Sequence, residues 1–280
     1  MRDLAKDRSL LAINSATVKS WTLEQLVEGC ARAGITGIAP WRDIVQAVGA
    51  EKAGKLIRSA GLTVSCYCRA GLFPAADEAG RRAVLDDNRR AIDEAAAIGA
   101  RSVVMIAGGL PKGSKDLAGA HQQVHDGLAV LLPYARQNGV PLAIEPLHPM
   151  YAADRACVNT LAHANDLCDA LGDGSGRDIG LAVDAYHVWW DPDLSAQIKR
   201  AGKRILTYHV CDWLVPTTDL LLDRGMPGDG VIDLKSIRAM VEATGYDFVI
   251  DVEIFSAQNW WKREPSEVLR ICLERHQTVV

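Results

Sequence analysis

Four residues of this chain are of types that hold a hard metal ion, and each closes an apolar run. Glu145 ends Pro-Leu-Ala-Ile-Glu, Asp184 ends Gly-Leu-Ala-Val-Asp, His209 ends Ile-Leu-Thr-Tyr-His, and Glu253 ends Phe-Val-Ile-Asp-Val-Glu. One set of alternate positions in these runs is bulky and apolar: Leu142 and Ile144, Leu181 and Val183, Leu206 and Tyr208, Ile250 and Val252. The other set is small or polar (Ala143, Ala182, Thr207, Asp251) and continues into the four candidates. Strand side chains alternate between two faces, so all four fall on the small-residue face at the carboxyl ends of their strands. So many uncompensated charges in one mouth would repel without a cation. Three carboxylates and one imidazole suit Mn²⁺, Mg²⁺ or Co²⁺ and tolerate Zn²⁺. One divalent ion is expected, Mn²⁺ ahead of the others.

The elements that must position these residues are punctuated by glycine. An alanine-rich helical segment, a Gly and then a β-branched run recur at Gly34, Gly61, Gly99, Gly139, Gly202 and Gly245, and a longer loop at 171–176 serves the same purpose. Gly just past a helix end favours the left-handed conformation that stops the helix. The order predicted is strands near 9–14, 35–40, 62–67, 102–107, 141–145, 179–184, 204–210 and 247–254. Helices fall near 22–33, 43–60, 77–98, 115–138, 158–171, 193–201, 233–244 and 265–276. Alternating strands and helices imply a parallel sheet with right-handed crossovers, and eight units in ~250 residues is the size of a closed barrel. A doubly wound sheet is the competitor, but Asn14-Ser15-Ala16-Thr17 lacks its glycine-rich turn. The fold expected is therefore α/β: a single (β/α)8 TIM barrel over 1–280, with its active site at the carboxyl ends of the strands. Trp41, Trp189, Trp190, Trp213, Trp260 and Trp261 all follow strand ends, where rings stack on a sugar or cover the barrel rim.

Composition narrows the class. With 49% hydrophobic and 24% charged residues the chain reads as a globular enzyme, not a disordered or fibrous one. No apolar run approaches the ~20 residues of a membrane span, and the first residues lack the plan of a signal peptide, so cytoplasmic residence is expected. Seven cysteines without a Cys-x-x-Cys pair suggest reduced, mostly buried thiols. A net charge of −4 gives no general attraction to nucleic acid.

Several motifs carry a resemblance. Glu145-Pro-Leu, Asp184 with His187, His209-Val-Cys-Asp212, Arg224-Gly-Met-Pro-Gly-Asp-Gly230 with Asp233, and Glu253 are similar to those of the xylose isomerase-like barrel superfamily. That group includes sugar isomerases and epimerases of the tagatose 3-epimerase type, hydroxypyruvate isomerase, inosose dehydratase and endonuclease IV. The likeness is specific after Pro141; before it only the barrel rhythm agrees. It implies that Glu145, Asp184, His209 and Glu253 ligate the ion while His187 and Arg224 hold substrate oxygens. Trp189 and Trp213 are further candidates for substrate binding. A cation gripping a carbonyl and its neighbouring hydroxyl acidifies the C–H between them and stabilises the enediolate. Glu145 and Glu253, from opposite sides, would exchange the proton.

The leading expectation is a metal-dependent isomerase or epimerase of a ketose or related keto-polyol, with a small-molecule sugar substrate and no nucleic-acid or membrane partner. A homo-oligomer, dimer or tetramer, is expected; a hetero-oligomer is the other possibility. Two departures from the family pattern matter. His148 stands where the family often has Asn, and as a general base it would favour a lyase or dehydratase acting on a keto-sugar or 3-keto-glycoside. Asp251 lies one inward step below Glu253, with Lys203, Arg204 or a neighbouring strand as its partner. The 107–115 loop is expected to be a mobile lid; His121 and His125 share a helix face without a zinc-protease motif, and His163 and His276 are expected to be ordinary helix residues. An endonuclease-like phosphodiesterase and a non-catalytic carbohydrate-binding subunit are the more distant alternatives.

Overall fold

The chain was analysed as a computed structural model that describes residues 2–172 and 174–280; Asp173, in the loop at 171–176, lies outside the described residues. Its strands are β1 (Leu11–Asn14), β2 (Gly37–Ala39), β3 (Thr63–Val64), β4 (Tyr67–Gly71), β5 (Val103–Ile106), β6 (Leu142–Glu145), β7 (Ile179–Asp184) and β8 (Ile205–Val210). A two-stranded hairpin, β9 (Asp212–Trp213) and β10 (Arg224–Gly225), precedes β11 (Ile250–Val252). The helices are α1 (Leu23–Ala33), α2 (Arg42–Val48), α3 (Ala50–Ser59), α4 (Glu78–Ile98), α5 (Leu117–Asn138), α6 (Leu161–Leu171), α7 (Ala185–Val188), α8 (Leu194–Ala201), α9 (Leu234–Ala243) and α10 (Pro265–Thr278).

The large sheet is parallel throughout and runs β3-β2-β1-β11-β8-β7-β6-β5-β4. Its two edges, β3 and β4, are consecutive in sequence, so the sheet closes on itself as a TIM barrel whose third strand is delivered in two pieces. The seam is stitched on both sides: Ser65 N–H donates to Ile38 O (2.9 Å) and Tyr67 N–H to Ser102 O (2.9 Å). The break departs from the single strand predicted at 62–67, and the cause is local. Ser65 Oγ donates to Asp251 and Cys66 Sγ lies 3.4 Å from His209, so two successive side chains face inward and the pleat cannot continue.

The alternation read from the sequence sorts the faces except at Leu206, which packs against the inner cluster where the β7–β8 register shifts. Ala39, Cys66, Cys68, Val104, Ala143 and Ala182 form one cluster inside the barrel. The bulky set, including Leu142, Ile144, Leu181, Val183, Tyr208, Ile250 and Val252, belongs to the large core under the helices. At Gly99 and Gly139 φ is +71° and +67° and each caps the preceding helix; the other four junction glycines also have positive φ. The helix expected over 43–60 is two, because Gly49 at φ +90° and ψ +131° separates α2 from α3. No helix among the described residues is long and apolar enough to cross a membrane.

Candidate metal centre

Strand register brings the four candidate ligands to one level. Asp184 pairs directly with His209 across β7 and β8, and His209 pairs with Asp251 across β8 and β11. All four side chains are buried, and their ligand atoms lie within 4.8 Å of one another. His209 Nδ1 is 3.5 Å from Glu145 Oε1 and 3.7 Å from Glu253 Oε2. The outer oxygens are tied down: Asn14 Nδ2 donates to Glu253 Oε1 (2.8 Å), and Tyr186 N–H donates to Asp184 Oδ1 (2.9 Å). Yet Glu145 Oε1 and His209 Nδ1 are buried with no hydrogen-bond partner. A buried polar atom left so costs ~1–3 kcal/mol, and both atoms point at the common centre. The donor set and these two orphaned atoms fit a divalent cation.

The far edge of His209 is built to aim the ring. Its Nε2 lies 3.1 Å from Thr207 Oγ1, which donates to Asp251 Oδ2 (3.1 Å), while Ser65 Oγ donates to Asp251 Oδ1 (2.8 Å). With Nε2–H donating into this chain, Nδ1 keeps its lone pair for an ion. Asp251 thus finds its partners on neighbouring strands. Arg204 instead turns outward to Asp169 and Asn165.

Charge in the centre is uneven. Burial pushes Glu145 up to about 7 and also raises Asp184. At Glu253 burial acts in the same direction but is outweighed by the His209 ring and Arg224, so its carboxyl falls below the usual range. Arg224, on β10, puts Nη1 3.1 Å from Asp184 Oδ2 and 3.5 Å from Glu253 Oε2. Its guanidinium lies between the rings of Tyr186 (4.2 Å) and Phe255 (4.8 Å). Burial alone would discharge it, but the surrounding anions hold it charged.

His187, on α7, accepts the His148 N–H at Nδ1 (3.2 Å), which assigns the proton of the neutral ring to Nε2. That nitrogen faces Asp184 Oδ2 at 3.6 Å and Arg224 Nη2 at 3.3 Å. Burial, then Arg224, keeps the imidazole well below its ordinary pKa.

A cavity of about 160 Å³ opens beside the centre, with Glu145, His187, Arg224 and Glu253 in its wall. The other sequence candidates stand outside that wall. The His148 ring stacks on Trp213 (4.9 Å between centroids, 23°), and its Nδ1 accepts the Met150 N–H (3.1 Å); Trp189 packs on Trp213 at 5.7 Å. Of the rim tryptophans only Trp41 is among the lining residues, packed edge-on to Phe255 at 5.4 Å. Residues of the wall that the sequence reading passed over are Arg69, Tyr151, Arg155, Leu221 and Phe255. Phe255 had a signal, since it follows Glu253 by two on an alternating run. Arg69 had none, because Cys66 and Cys68 already occupy the inward positions. Tyr151 and Arg155 sit in a loop without periodicity. The first part of the 107–115 loop is tied to the loop after β6: Leu110 N–H donates to Ala153 O (2.7 Å), and Cys157 N–H to Gly108 O (2.9 Å).

The model of the xylose isomerase-like TIM barrel family matches residues 27–272. The chain belongs to that family. Among its relatives, an inosose isomerase of Bacillus velezensis is 31% identical over 162 residues, covering 55% of this chain and 53% of that protein. An inosose isomerase of Bacillus licheniformis is 28% identical over 217 residues, covering 73% and 71%. The chain thus spans about half the length of the first of these relatives and under three quarters of the second. A crystal structure of a Sinorhizobium meliloti 1021 protein is 55% identical with a TM-score of 0.94, covering 98% and 99% of the two chains. The IolI protein, solved with a bound zinc atom, shares this xylose isomerase-like fold at 21% identity and a TM-score of 0.82, covering 96% and 97%.

Proposed function

We propose that this xylose isomerase-like barrel is a divalent-metal-dependent isomerase or epimerase of a small keto-polyol, a ketose or an inosose. One observation carries the reading: Glu145 and Glu253 belong both to the four-residue ligand cluster and to the wall of the cavity beside it. The inosose isomerase relatives and the zinc-bearing fold neighbour point the same way. The cavity beside the cluster measures about 160 Å³, and a small polyol is its occupant on this reading.

A cation held by Glu145, Asp184, His209 and Glu253 would polarise the substrate carbonyl and acidify the neighbouring C–H. The chain's own groups do the rest. Glu253, held ionised by His209 and Arg224, is the group prepared to take the proton, and Glu145, from the other side, is the group placed to exchange it. Arg224 presents a fixed, always charged fork to the oxygen on which negative charge grows. His187 Nε2–H stands beside it as a neutral donor. The lyase reading with His148 as base has less support, because that ring is stacked on Trp213 and spends Nδ1 on a backbone N–H.

The test is solvent exchange. Protein stripped with a chelator and reloaded with Mn²⁺, Co²⁺ or Zn²⁺ is incubated with ketoses and inososes in D₂O, and deuterium at the carbon next to the carbonyl is read by NMR. Exchange in the loaded protein that is lost on chelation supports the proposal. Absence of exchange with every keto-polyol in fully loaded protein sinks it.

A further inference from the structure

Two arginines in the cavity wall make no ion pair among the described residues, although Arg69 feels the charge of Glu145. Arg69, in β4, and Arg155, in the loop after β6, both line the space beside the metal centre. Among the described residues neither guanidinium makes an ion pair or a hydrogen bond; the Arg155 guanidinium merely lies over the Tyr151 ring at 5.5 Å. They are close enough to oppose each other: burial first, and then the like charge of Arg155, hold Arg69 below its ordinary pKa. Asp219 feels the charge of Arg155 but forms no ion pair with it. Elsewhere in the chain buried or half-buried arginines are paired, Arg42 with Asp87 and Glu94, and Arg224 with Asp184.

The charge balance of the centre makes these two a surplus. A divalent ion together with Arg224 already neutralises the carboxylates of Glu145, Asp184 and Glu253. Arg69 is half-buried beside the cavity while Arg155 reaches it from an exposed loop, and a planar guanidinium is the side chain best matched to a carboxylate or phosphate. The loop that carries Arg155 is fixed for the task. Gly109 packs so tightly on it that an added Cβ would lie 2.0 Å from the Asp154 carbonyl oxygen, and the backbone bonds from Leu110 and Cys157 hold the same segment.

We propose that the keto-polyol taken by this site carries an anionic group, a carboxylate or phosphate, clamped between Arg69 and Arg155 in the wall of the cavity. The proposal rests on the isomerase reading for the word keto-polyol and on the two arginines for the anion.

Calorimetry on the full-length, Mn²⁺-loaded protein tests it with three probes: D-fructose, 2-keto-D-gluconate and D-fructose 6-phosphate. At least one of the two anionic probes should bind about tenfold or more tightly than fructose, as expected of a charge-assisted contact, and whichever binds tighter identifies the anion. Arg69→Gln and Arg155→Gln should each bring the affinity for the preferred anionic probe down to within about twofold of the same variant's affinity for fructose. Arg155 is exposed, so its variant keeps the test decisive even where Arg69→Gln disturbs the barrel. Equal affinity for all three probes, or variants that weaken fructose as much as the anions, would overturn the proposal. Selective anion binding without deuterium exchange leaves the anion clamp standing and removes the isomerase reading. Exchange on fructose with no anion preference does the opposite.

Discussion

His209 faces two ways, and each edge of its ring has a consequence. Metal-free, the imidazole is surrounded by carboxylates and by Cys66, which together outweigh burial and hold it charged well above its ordinary pKa. Loading an ion at Nδ1 must expel that proton, together with any on Glu145, whose carboxyl titrates at about 7. Metal affinity should therefore rise with pH through neutrality and loading should release protons. Titrations in buffers of different ionisation enthalpy measure both; affinity independent of pH would count against His209 and Glu145 as ligands. Glu253→Gln should lower metal content and cut solvent exchange by about 10²–10⁴-fold, the usual worth of a positioned proton carrier. His148→Asn should leave exchange within a few-fold of wild type, since Asn still accepts the Met150 N–H; its loss would revive the lyase.

At the scale of elements, the hairpin that delivers Arg224 is held by one buried carboxylate. Asp212 accepts from the backbone N–H groups of Trp213 (2.9 Å), Gly228 (2.8 Å) and Ile232 (3.0 Å), and an added Cβ at Gly230 would lie 2.1 Å from the Trp213 carbonyl oxygen. Asp212→Ala orphans those donors at a cost of about 2–3 kcal/mol. It should also lower kcat through misplaced Arg224 while metal content, read by elemental analysis, stays at wild type. The motif from His209 to Gly230 was visible in the sequence, but this reason for it was not, because no periodicity marks a two-stranded hairpin outside the barrel. Strands β6, β7 and β8 were legible to within a residue or so, although β8 breaks its alternation at Leu206, where the register against β7 shifts. β11 is shorter than the run at 247–254, and α7 was not anticipated because a single turn capped by Asp184 leaves no helical pattern. That Glu145, Asp184, His209 and Glu253 come together followed from alternation. The cavity wall did not: tertiary packing, not residue type, decided that Trp41 faces the cavity while Trp190 and Trp213 pack around His148 and Trp189 on Trp213.

For the whole molecule, acid should be met by unfolding at a histidine far from the chemistry. His276, on α10, is fully buried with both ring nitrogens unpartnered, and burial followed by Arg238 and Arg2 depresses it to about 4. A depressed histidine is neutral when folded and takes up a proton when unfolded, so its contribution is present above its unfolded pKa near ~6.5 and is lost as pH falls toward the folded value. From pH 7 to 5 that loss is about 2 kcal/mol. His276→Leu should flatten the acid limb of an unfolding-stability profile by that amount, and an unchanged limb would refute the assignment. The barrel's connectivity has a last effect, on the chain as it is made. β11 inserts between β1 and β8, so the strand that seals the cylinder also precedes the fourth ligand, Glu253. Before residue 253 is synthesised, a nascent chain carries Glu145, Asp184 and His209 without the residue that completes them, and exposes the edges of β1 and β8. Closure of the barrel and completion of the four-residue cluster then arrive in one event, leaving unfinished chains, through those open edges, in need of shelter from one another.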